Sequence, residues 1–367
     1  MKILHVTKKY PGAMGGDAVV VSQLCAEQQA AGHEIAVITS NCDEISAEPH
    51  IYKCGLKNTP ANLDRITLRR LVSLVCLFFV SFGIIRRERP DIIHSHSVDM
   101  AFCVAAAARF RGVPLMHTFH IVTHYDPEQS FLRRKTELWM AKLTGARIVT
   151  APNPYDVGRL QAAGLRQTVL LPNGVDLTFW QPGNPDEQGG PCTFVAVGRL
   201  ERQKGFNYLI EAAALAASAA AQPFRVIIVG EGSQQPMLQA RAKRLGVEKI
   251  VQFSGAKNRQ QVRQLLSVAD VVVIPSLYET TPLTLLEAWA MGLPVIATPV
   301  GILRGVPAPA AHVVPPKDEQ ALAEAMILYI QNNTARARLA ALGQKEVQRY
   351  AWPRIAQTAK ILYRSAL

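Results

Sequence analysis

Short apolar segments alternate with longer helical stretches along almost the whole chain, and this alternation limits the possible folds more than any other feature. One of the longer stretches, from Val20 to Gly32, is predicted to be a helix that ends at its glycine. Strands that alternate with helices form parallel sheets with helical crossovers, so the chain is predicted to be an α/β protein. The strand-like segments of the first half are KILHVT (2–7), EIAVITS (34–40), DIIHSH (91–96), PLMHTFH (114–120) and RIVTA (147–151).

The alternation restarts after a segment rich in proline and glycine, at about 172–192. We therefore predict two doubly wound domains, one of residues 1–173 and one of residues 174–352. The final helix, 353–367, is assigned to the first domain, although the sequence alone lets it pack on either. An alanine-rich helix is predicted over 206–221. The strand-like segments of the second half are TFVAVGRL (193–200), RVIIVGEG (225–232), IVQFSG (250–255) and DVVVIPS (270–276).

The chain is strongly basic, with 367 residues and a formal net charge of +12. This charge predicts anionic partners, which include nucleotides, phosphates, nucleic acid and acidic membranes. The basic residues are scattered rather than grouped with aromatic residues, which argues against a nucleic-acid partner. The six cysteines show no paired metal spacing and are predicted to be reduced, mostly buried thiols. Together with an N-terminus that lacks the apolar region of a signal peptide, they predict a cytoplasmic protein.

One apolar segment, 71–85, carries no charge and is flanked by arginines on both sides. Its fifteen residues fall short of the roughly 20 that span a bilayer. We predict a buried helix with basic ends. The alternative is a helix that docks the protein peripherally on the inner, anionic face of a membrane.

The residues that follow each strand are candidates for a ligand site, because ligands of parallel sheets bind beyond the carboxyl ends of the strands. Gly15 and Gly16 follow the first strand and precede a helix, where backbone N–H groups can approach a phosphate, although such a pair is also a common turn. In the second domain, Arg199 follows a strand and Lys204 precedes the next helix. Two cations that meet beside a glycine loop can bind a diphosphate, whereas each alone can equally be a solvated surface charge.

The segment PSLYETTPLTLLEAWAMGLPV (275–295) places Glu279 in a loop after a strand and Glu287 inside the following helix. Thr280 or Thr281 is predicted to cap this helix, with Pro282 at the first helical position. Glu279 can accept hydrogen bonds from sugar hydroxyls, and Glu287 can accept them from the two hydroxyls of a ribose. The alternative is structural: Glu279 assists the cap and Glu287 pairs with an arginine.

Together these motifs resemble the retaining glycosyltransferases of family 4, and the resemblance covers essentially the full length. It implies the GT-B architecture, in which two Rossmann-like, doubly wound domains face each other across a cleft. It also implies a hexosyltransferase that uses a nucleotide diphosphate sugar, with UDP-sugars favoured over GDP-sugars. The motifs that carry it are Gly15-Gly16, DIIHSH, HTFH (117–120), PNGVD (172–176), VGRLERQKG (197–205) and the E-x7-E of Glu279 and Glu287.

The resemblance assigns roles to particular residues of this chain. The donor diphosphate is assigned to Gly15, Gly16, Arg199 and Lys204. The ribose is assigned to Glu287, and the base to the segment 253–257, including Ala256 and Lys257, chiefly through its main chain. The donor sugar is assigned to Glu279, Thr280, Thr281, Pro282, Leu283 and His120. The residues with a catalytic role are expected to be Arg199, Lys204, His120 and Glu279.

The chain departs from the family pattern at two places. Thr280 and Thr281 stand where the family commonly has glycine and an aromatic residue, and Gly301-Ile302 stands where many members have two glycines. The first departure alters the predicted shape of the sugar pocket, so the donor sugar stays open.

No carboxylate of the chain is an obvious nucleophile, so leaving-group stabilisation is expected to drive the reaction. The acceptor hydroxyl is expected to attack from the face that the phosphate leaves, while a phosphate oxygen takes its proton. The alternative for this proton is His120 as a general base. Neither a metal nor another cofactor is expected. The histidines His94, His96, His117, His120 and His124 lie near strand ends, but no acidic or cysteine partner stands at ligand spacing.

The acceptor is expected to bind the first domain near Thr7, Tyr10, Tyr125 and Asp126. The helix predicted over 131–143 adds three cations that can guide a lipid phosphate. A glycolipid, a saccharide and a natural-product core are all compatible, which suggests cell-surface glycan or natural-product biosynthesis in a bacterium. Two rival functions are a nucleotide-sugar epimerase or hydrolase on the same fold, and a non-catalytic nucleotide binder.

Overall fold

The computed structural model describes residues 1–10, 16–40, 50–54, 68–120, 131–182, 190–304 and 310–367, with the side chains of 68–71 and 131–134 left out. The chain divides into two compact units. The N-terminal unit comprises Met1–Gly174 and Trp352–Leu367, and the C-terminal unit comprises Val175–Ala351. Each unit holds one parallel sheet, which confirms the predicted pair of doubly wound domains.

The sheet of the N-terminal unit has seven strands within the described residues, in the order β3-β2-β1-β4-β5-β6-β7. Every neighbouring pair is parallel. The strands are β1 (Lys2–Thr7), β2 (Glu34–Thr39), β3 (Ile51–Lys53), β4 (Ile92–Ser95), β5 (Leu115–Thr118), β6 (Ile148–Ala151) and β7 (Thr168–Leu170). The helices are α1 (Gly16–Ala30), α2 (Leu68–Glu88), α3 (Val98–Phe110), α4 (Phe131–Leu143), α5 (Pro154–Ala162) and, at the C-terminus, α12 (Trp352–Ala366).

The C-terminal unit repeats this plan with six strands in the part of it that the structure describes, in the order β10-β9-β8-β11-β12-β13. Its neighbouring strands are also parallel. The strands are β8 (Cys192–Val197), β9 (Phe224–Val229), β10 (Val251–Phe253), β11 (Val271–Ile274), β12 (Val295–Ala297) and β13 (His312–Val313). The α-helices are α6 (Phe206–Ala219), α7 (Gln235–Arg244), α8 (Arg259–Ser267), α9 (Leu283–Ala290), α10 (Glu319–Gln331) and α11 (Asn333–Val347).

Both sheets reverse their direction of winding at one point, between β1 and β4 in the first and between β8 and β11 in the second. Because parallel crossovers are right-handed, α1 lies on one face of its sheet and α2 and α3 lie on the other. The apolar side of the central strands fills the core, and Val, Ile and Leu dominate it. The point of reversal is where doubly wound sheets bind ligands.

Local sequence chemistry fixes several helix starts. Asn153 accepts a hydrogen bond from the N–H of Asp156 at 2.8 Å, with Pro154 at the first helical position of α5. Asn258 and Gln261 form a capping box at the start of α8. Side-chain caps of this kind stabilise a helix end by about 1 kcal/mol each.

The nine strands predicted from the sequence are all present, but the prediction missed the short strands β3, β7, β12 and β13. Helix α1 begins at Gly16, not at Val20, because Asp17 stabilises its first turn. Helix α12, which the sequence let pack on either domain, belongs to the N-terminal unit, where it packs on α1.

The prediction of a buried helix over 71–85 is wrong. The segment lies within the longer helix α2, which buries one side, including Leu77 and Ile84, against the core. Its opposite side, including Val75 and Phe79, is exposed. None of the described helices is both long and apolar enough to cross a membrane.

Candidate active site

The loops that follow β8 and β11 lie side by side, because these two strands are neighbours in the sheet. This is the point of reversal of the C-terminal sheet, so both loops project beyond the carboxyl ends of its central strands. The first loop carries Arg199 and Lys204, and the second carries Glu279. The topology therefore brings together the cations and the carboxylate that the sequence singled out.

The loop after β8 is held tightly against the end of β11. Residues 202–204 form a turn of 3₁₀-helix, and Gly205 follows with a φ of 65°. A Cβ atom at Gly205 would lie 2.1 Å from the carbonyl oxygen of Pro275, so both the positive φ and the close approach require glycine. The N–H of Leu277 donates to the carbonyl of Gln203 at 2.7 Å. These contacts fix Lys204 beside the loop that contains Glu279.

Lys204 and Glu279 form an ion pair through Nζ and Oε1. The hydroxyl of Ser276 donates to the same carboxylate oxygen at 3.1 Å. The aliphatic stem of Lys204 crosses Gly198, where an added Cβ atom would come within 3.1 Å of it. The ammonium is therefore held at the end of the strands rather than extended into solvent. Sequence reasoning placed Lys204 and Glu279 at one site but did not foresee Ser276.

Helix α9 begins without a side-chain cap. Pro282 is its N-cap residue, with a φ of −67° and a ψ of 114°, and Leu283 is the first helical residue. The prediction that Thr280 or Thr281 caps the helix is therefore wrong, as is Pro282 at the first helical position. The hydroxyl of Thr281 donates instead to the carbonyl of Thr280 at 2.8 Å. An uncapped helix start leaves backbone N–H groups that can donate to an anionic ligand.

Glu287 lies in the second turn of α9 and is partly buried. Burial raises the pKa of its carboxyl to about 7, and the nearby positive charge of Arg259 opposes the rise. Arg259 forms its own ion pair with Asp176 at 3.2 Å and stacks on the ring of Phe179. Arg259 was missed by sequence reasoning, because an arginine at the start of a helix carries no signal of its own.

The segment assigned to the base follows β10. Gly255 adopts a φ of 71°, and its carbonyl accepts from the N–H of Gly230 at 2.9 Å. The N–H of Ala256 donates to Glu231 at 3.3 Å, and Lys257 is exposed. The segment is thus attached to the loop after β9, one strand away from the loop that holds Lys204 and two strands away from the loop that holds Glu279.

In the N-terminal unit, the predicted residues lie at the corresponding edge of the sheet. Thr7 is the last residue of β1 and is buried, Tyr10 follows it, and Gly16 begins α1. His120 lies two residues after β5. Four of the predicted residues lie outside the described part of the chain, namely Gly15, His124, Tyr125 and Asp126.

Two histidines, His96 and His5, connect His120 to the interior of the N-terminal unit through a chain of hydrogen bonds. His120 Nε2 lies 2.9 Å from His96 Nδ1, and His96 Nε2 lies 2.9 Å from His5 Nδ1. The chain continues to Gln28, whose Oε1 lies 2.8 Å from His5 Nε2. Gln28 in turn donates to the hydroxyl of Tyr363, in the C-terminal helix, at 2.8 Å. Sequence reasoning singled out His96 and His120 but not His5, Gln28 or Tyr363.

This chain of hydrogen bonds determines which nitrogen of each neutral imidazole carries the proton. Since Gln28 donates to Tyr363 through its amide nitrogen, its oxygen accepts from Nε2–H of His5. His5 Nδ1 then accepts from His96, and His96 Nδ1 accepts from Nε2–H of His120. A neutral His120 is thus held with its lone pair on Nδ1.

Five histidines cluster here, of which His5, His94, His96 and His117 are buried and His120 is half-buried. Burial is the main cause that lowers their pKa values. The pKa falls to about 4 for His5 and His120 and to about 3 for His117, and it falls well below the usual value for His94 and His96. They are therefore neutral at pH 7. The ring nitrogens of His5, His94 and His96 lie within 4.8 Å of one another, a spacing that could suit a metal ion. The hydrogen bonds above already engage His5 and His96, and His94 is engaged by the hydroxyls of Tyr363 at 2.7 Å and Thr118 at 2.6 Å. An ion there would have to displace these bonds.

Comparison with known proteins places both units in the same group of enzymes. Residues 181–346 match the family model described as "Glycosyl transferases group 1", and residues 14–179 match "Glycosyltransferase Family 4". The chain is 27% identical over 402 residues to glycogen synthase of Mycobacterium tuberculosis (strain CDC 1551 / Oshkosh), an alignment that covers 100% of this chain and 95% of the relative.

Two solved structures resemble the described fold over the whole chain. Sucrose-phosphate synthase from Thermosynechococcus elongatus has a TM-score of 0.82 and 24% identity, with 100% of this chain and 99% of the other covered. The Anabaena protein HepE in complex with UDP has a TM-score of 0.79 and 21% identity, with both chains covered completely. The fold is therefore the GT-B fold that the sequence predicted.

Proposed function

This chain belongs to glycosyltransferase family 4, and on that premise we propose that it transfers a sugar from a UDP-sugar to an acceptor hydroxyl with retention of the anomeric configuration. The observation that carries this proposal is the meeting of Lys204 and Glu279 at the point of reversal of the C-terminal sheet, with Arg199 in the same loop. The preference for UDP is supported by HepE, which has been crystallised with UDP and with UDP-glucose.

In this proposal, Arg199 and Lys204 bind the diphosphate of the donor. The bond between the anomeric carbon and the phosphate oxygen breaks, and its electron pair goes to the phosphate. Lys204, which Glu279 holds in place, and Arg199 stabilise that charge as it develops, which lowers the barrier more than it tightens donor binding. Glu279 holds Lys204 in place through one oxygen, and its other oxygen is available for a sugar hydroxyl.

The acceptor hydroxyl attacks the anomeric carbon from the face that the phosphate leaves. A new bond forms between that carbon and the acceptor oxygen, and the acceptor proton moves to the departing phosphate oxygen. Arg199 and Lys204 supply the charge stabilisation that a divalent ion can supply in a transfer reaction of this kind. We therefore propose that the reaction needs no metal.

The start of α9 and Glu287 complete the donor site in this proposal. The uncapped N–H groups at Leu283 face the donor with the positive end of the helix dipole. Glu287 accepts hydrogen bonds from the two ribose hydroxyls, a role that requires its ionised form. Since burial raises the pKa of this carboxyl to about 7, donor affinity is expected to fall below neutral pH.

The rival function of an epimerase or hydrolase would need a free acid at the sugar. The sequence offers Glu279 for this role, but one of its oxygens already binds the ammonium of Lys204 and accepts from the hydroxyl of Ser276. The carboxylate thus serves as an acceptor that holds Lys204 rather than as a free acid. This pairing favours a transferase over an epimerase or hydrolase.

The proposal is tested by the stereochemistry of the product. The protein is incubated with UDP-sugars of known anomeric configuration and a panel of glycosides and glycolipids, with and without EDTA. We expect UDP release that depends on the acceptor and is insensitive to EDTA, and NMR of the product should show the donor's anomeric configuration. Inverted product, or full UDP release without an acceptor, would contradict the proposal.

A further inference from the structure

The outer faces of α2, α3 and α4 form one exposed apolar surface on the N-terminal unit. Phe79 is 69% exposed, Phe110 is 75% exposed and Trp139 is 58% exposed. Soluble proteins rarely leave such large aromatic side chains in water when they are grouped together. We call the exposed apolar side chains of these three helices the apolar face.

Ring contacts show that this face is continuous across the three helices. Phe82 of α2 lies 6.2 Å from Phe110 of α3 between ring centroids, and Phe102 of α3 lies 6.1 Å from Trp139 of α4. Along α2, the stripe that contains Val72, Val75, Cys76, Phe79 and Val80 has no polar residue at an exposed position. The opposite side of α2 packs in the core, and this packing keeps the apolar side chains of the stripe on the surface.

The charges around the apolar face are of one sign. Among the described side chains of α2, α3 and α4, the exposed charged residues are all cations. They are Arg86, Arg87, Arg109, Lys135 and Lys142. The acidic residues of these helices are less exposed. Glu88 and Asp99 are buried in ion pairs with Lys2 and Lys8, and Glu137 is half-buried.

Four of these five cations, all except Lys135, are also grouped in space. Arg86 and Arg87 lie in the last turn of α2, Arg109 in the last turn of α3 and Lys142 in the last turn of α4. All three helices lead back to the start of a parallel strand, so they run in the same direction and their last turns lie at the same end. The apolar face therefore has a basic border at that end.

We propose that the apolar face docks the protein on the surface of an anionic lipid bilayer. Exposed aromatic and aliphatic side chains insert at the boundary between headgroups and acyl chains, and a basic border binds acidic headgroups. A protein partner would need a matching apolar patch bordered only by acids, whereas an anionic bilayer supplies both features at once. The inference is independent of the transferase proposal, because docking requires neither donor nor acceptor.

Vesicle co-sedimentation of the full chain tests this inference. The protein is mixed with vesicles of phosphatidylcholine alone or of an equal mixture of phosphatidylcholine and phosphatidylglycerol, at salt concentrations of about 50 and about 500 mM. We expect binding to the anionic vesicles that weakens with salt. The double variant Phe79→Ser/Phe110→Ser should bind about 10-fold less or weaker still. Arg86→Gln/Arg87→Gln should bind about 10-fold less at the lower salt, with a smaller difference at the higher salt.

The matched control is Ile361→Ser, on α12, which is also exposed, by 58%, but lies with α1 on the opposite side of the sheet. It should bind vesicles as the wild type does, and all variants should keep the circular dichroism and melting temperature of the wild type. Three results would overturn the inference: no binding of the wild type to anionic vesicles, equal binding by Phe79→Ser/Phe110→Ser, or a concentration-dependent dimer in ultracentrifugation that this double variant abolishes while vesicle binding is absent.

Discussion

Lys204→Ala should lower kcat by about 10²- to 10³-fold, because one fixed donor that stabilises charge in the transition state is commonly worth that much. Lys204 is held by its ion pair with Glu279 and by the close packing of its stem over Gly198, so the ammonium is already oriented before the donor binds. A preorganised cation contributes more to the transition state than to the ground state. The KM of the acceptor should therefore change little.

The measurement is steady-state kinetics at saturating donor, with Lys243→Ala as the matched control. Lys243 is an exposed lysine in the last turn of α7 of the same unit, and its removal should leave kcat unchanged. Glu279→Gln adds a second comparison, because it keeps the cation but removes the partner that orients it. A Lys204→Ala variant that is folded and retains nearly normal kcat would exclude leaving-group stabilisation by this residue.

The N-terminal unit should lose much of its stability between pH 7 and pH 5. Burial lowers the pKa values of five clustered histidines below their unfolded value of about 6.5, so unfolding takes up protons throughout this window. Their contribution to stability is complete above pH 6.5 and is lost as the pH falls toward their folded pKa values. Each buried histidine contributes a slope of about 1.4 kcal/mol per pH unit.

Three of these histidines have pKa values of about 3 or 4. By pH 5, these three alone lower the free energy of unfolding by an amount on the order of 5 kcal/mol. This is comparable with the whole stability of an ordinary domain, about 5–15 kcal/mol. The carboxyls of Asp17 and Asp99 oppose the shift by raising the pKa values of His120 and His117, so they reduce the loss without removing it. As the pH falls, this loss of stability occurs before Glu88 is protonated, because the pKa of Glu88 is lowered to about 2.

Hydrogen exchange followed by mass spectrometry can measure this loss for each unit separately. After correction for the intrinsic exchange rate, peptides from β1, β4 and β5 should lose protection as the pH falls from 7 to 5. Peptides from the C-terminal unit provide the internal control. There Glu287 acts in the opposite direction, because a carboxyl with a raised pKa destabilises the folded state only as the pH rises from 4.5 to about 7. Equal protection of β1, β4 and β5 at both pH values would contradict the burial of neutral histidines.

The strands and the fold class could be predicted from the sequence because each strand carries its own signal. Apolar runs such as KILHVT and DVVVIPS are buried on both sides in a parallel sheet and need no distant information. The four missed strands have two or three residues, too few for any periodicity. The sequence does not determine the order of the strands within each sheet, because right-handed crossovers fix the face on which each helix lies but not which strands are neighbours.

Two wrong predictions share a physical reason, since both depended on what lies against a segment. The composition of 71–85 is that of a core helix, but the fold covers only one side of α2. The two threonines before α9 are good caps by propensity, yet the ψ of 114° at Pro282 makes the proline itself the N-cap. Propensity describes a residue's local preference, and tertiary contacts decide between preferences of similar size.

The histidine chain shows the same limit at the candidate site. The sequence places histidines at strand ends, where they mark a candidate site. It does not show that Gln28 and Tyr363, which are 335 residues apart, meet and set the protonation of His5. The direction of the hydrogen bonds along the chain, and hence the protonated nitrogen of His120, could be read only from the structure.

The central claim is that the C-terminal unit binds a nucleoside diphosphate through Arg199, Lys204 and Glu287, and calorimetric titration with UDP tests it most directly. The wild type should bind UDP with micromolar affinity, and Glu287→Ala should bind at least about 10-fold more weakly, since hydrogen bonds to a charged group contribute about 1.5–3 kcal/mol. Glu248→Ala, which removes an exposed carboxylate of the same unit, should bind as the wild type does. No binding of UDP by the wild type, or equal affinities of the wild type and Glu287→Ala, would contradict the claim.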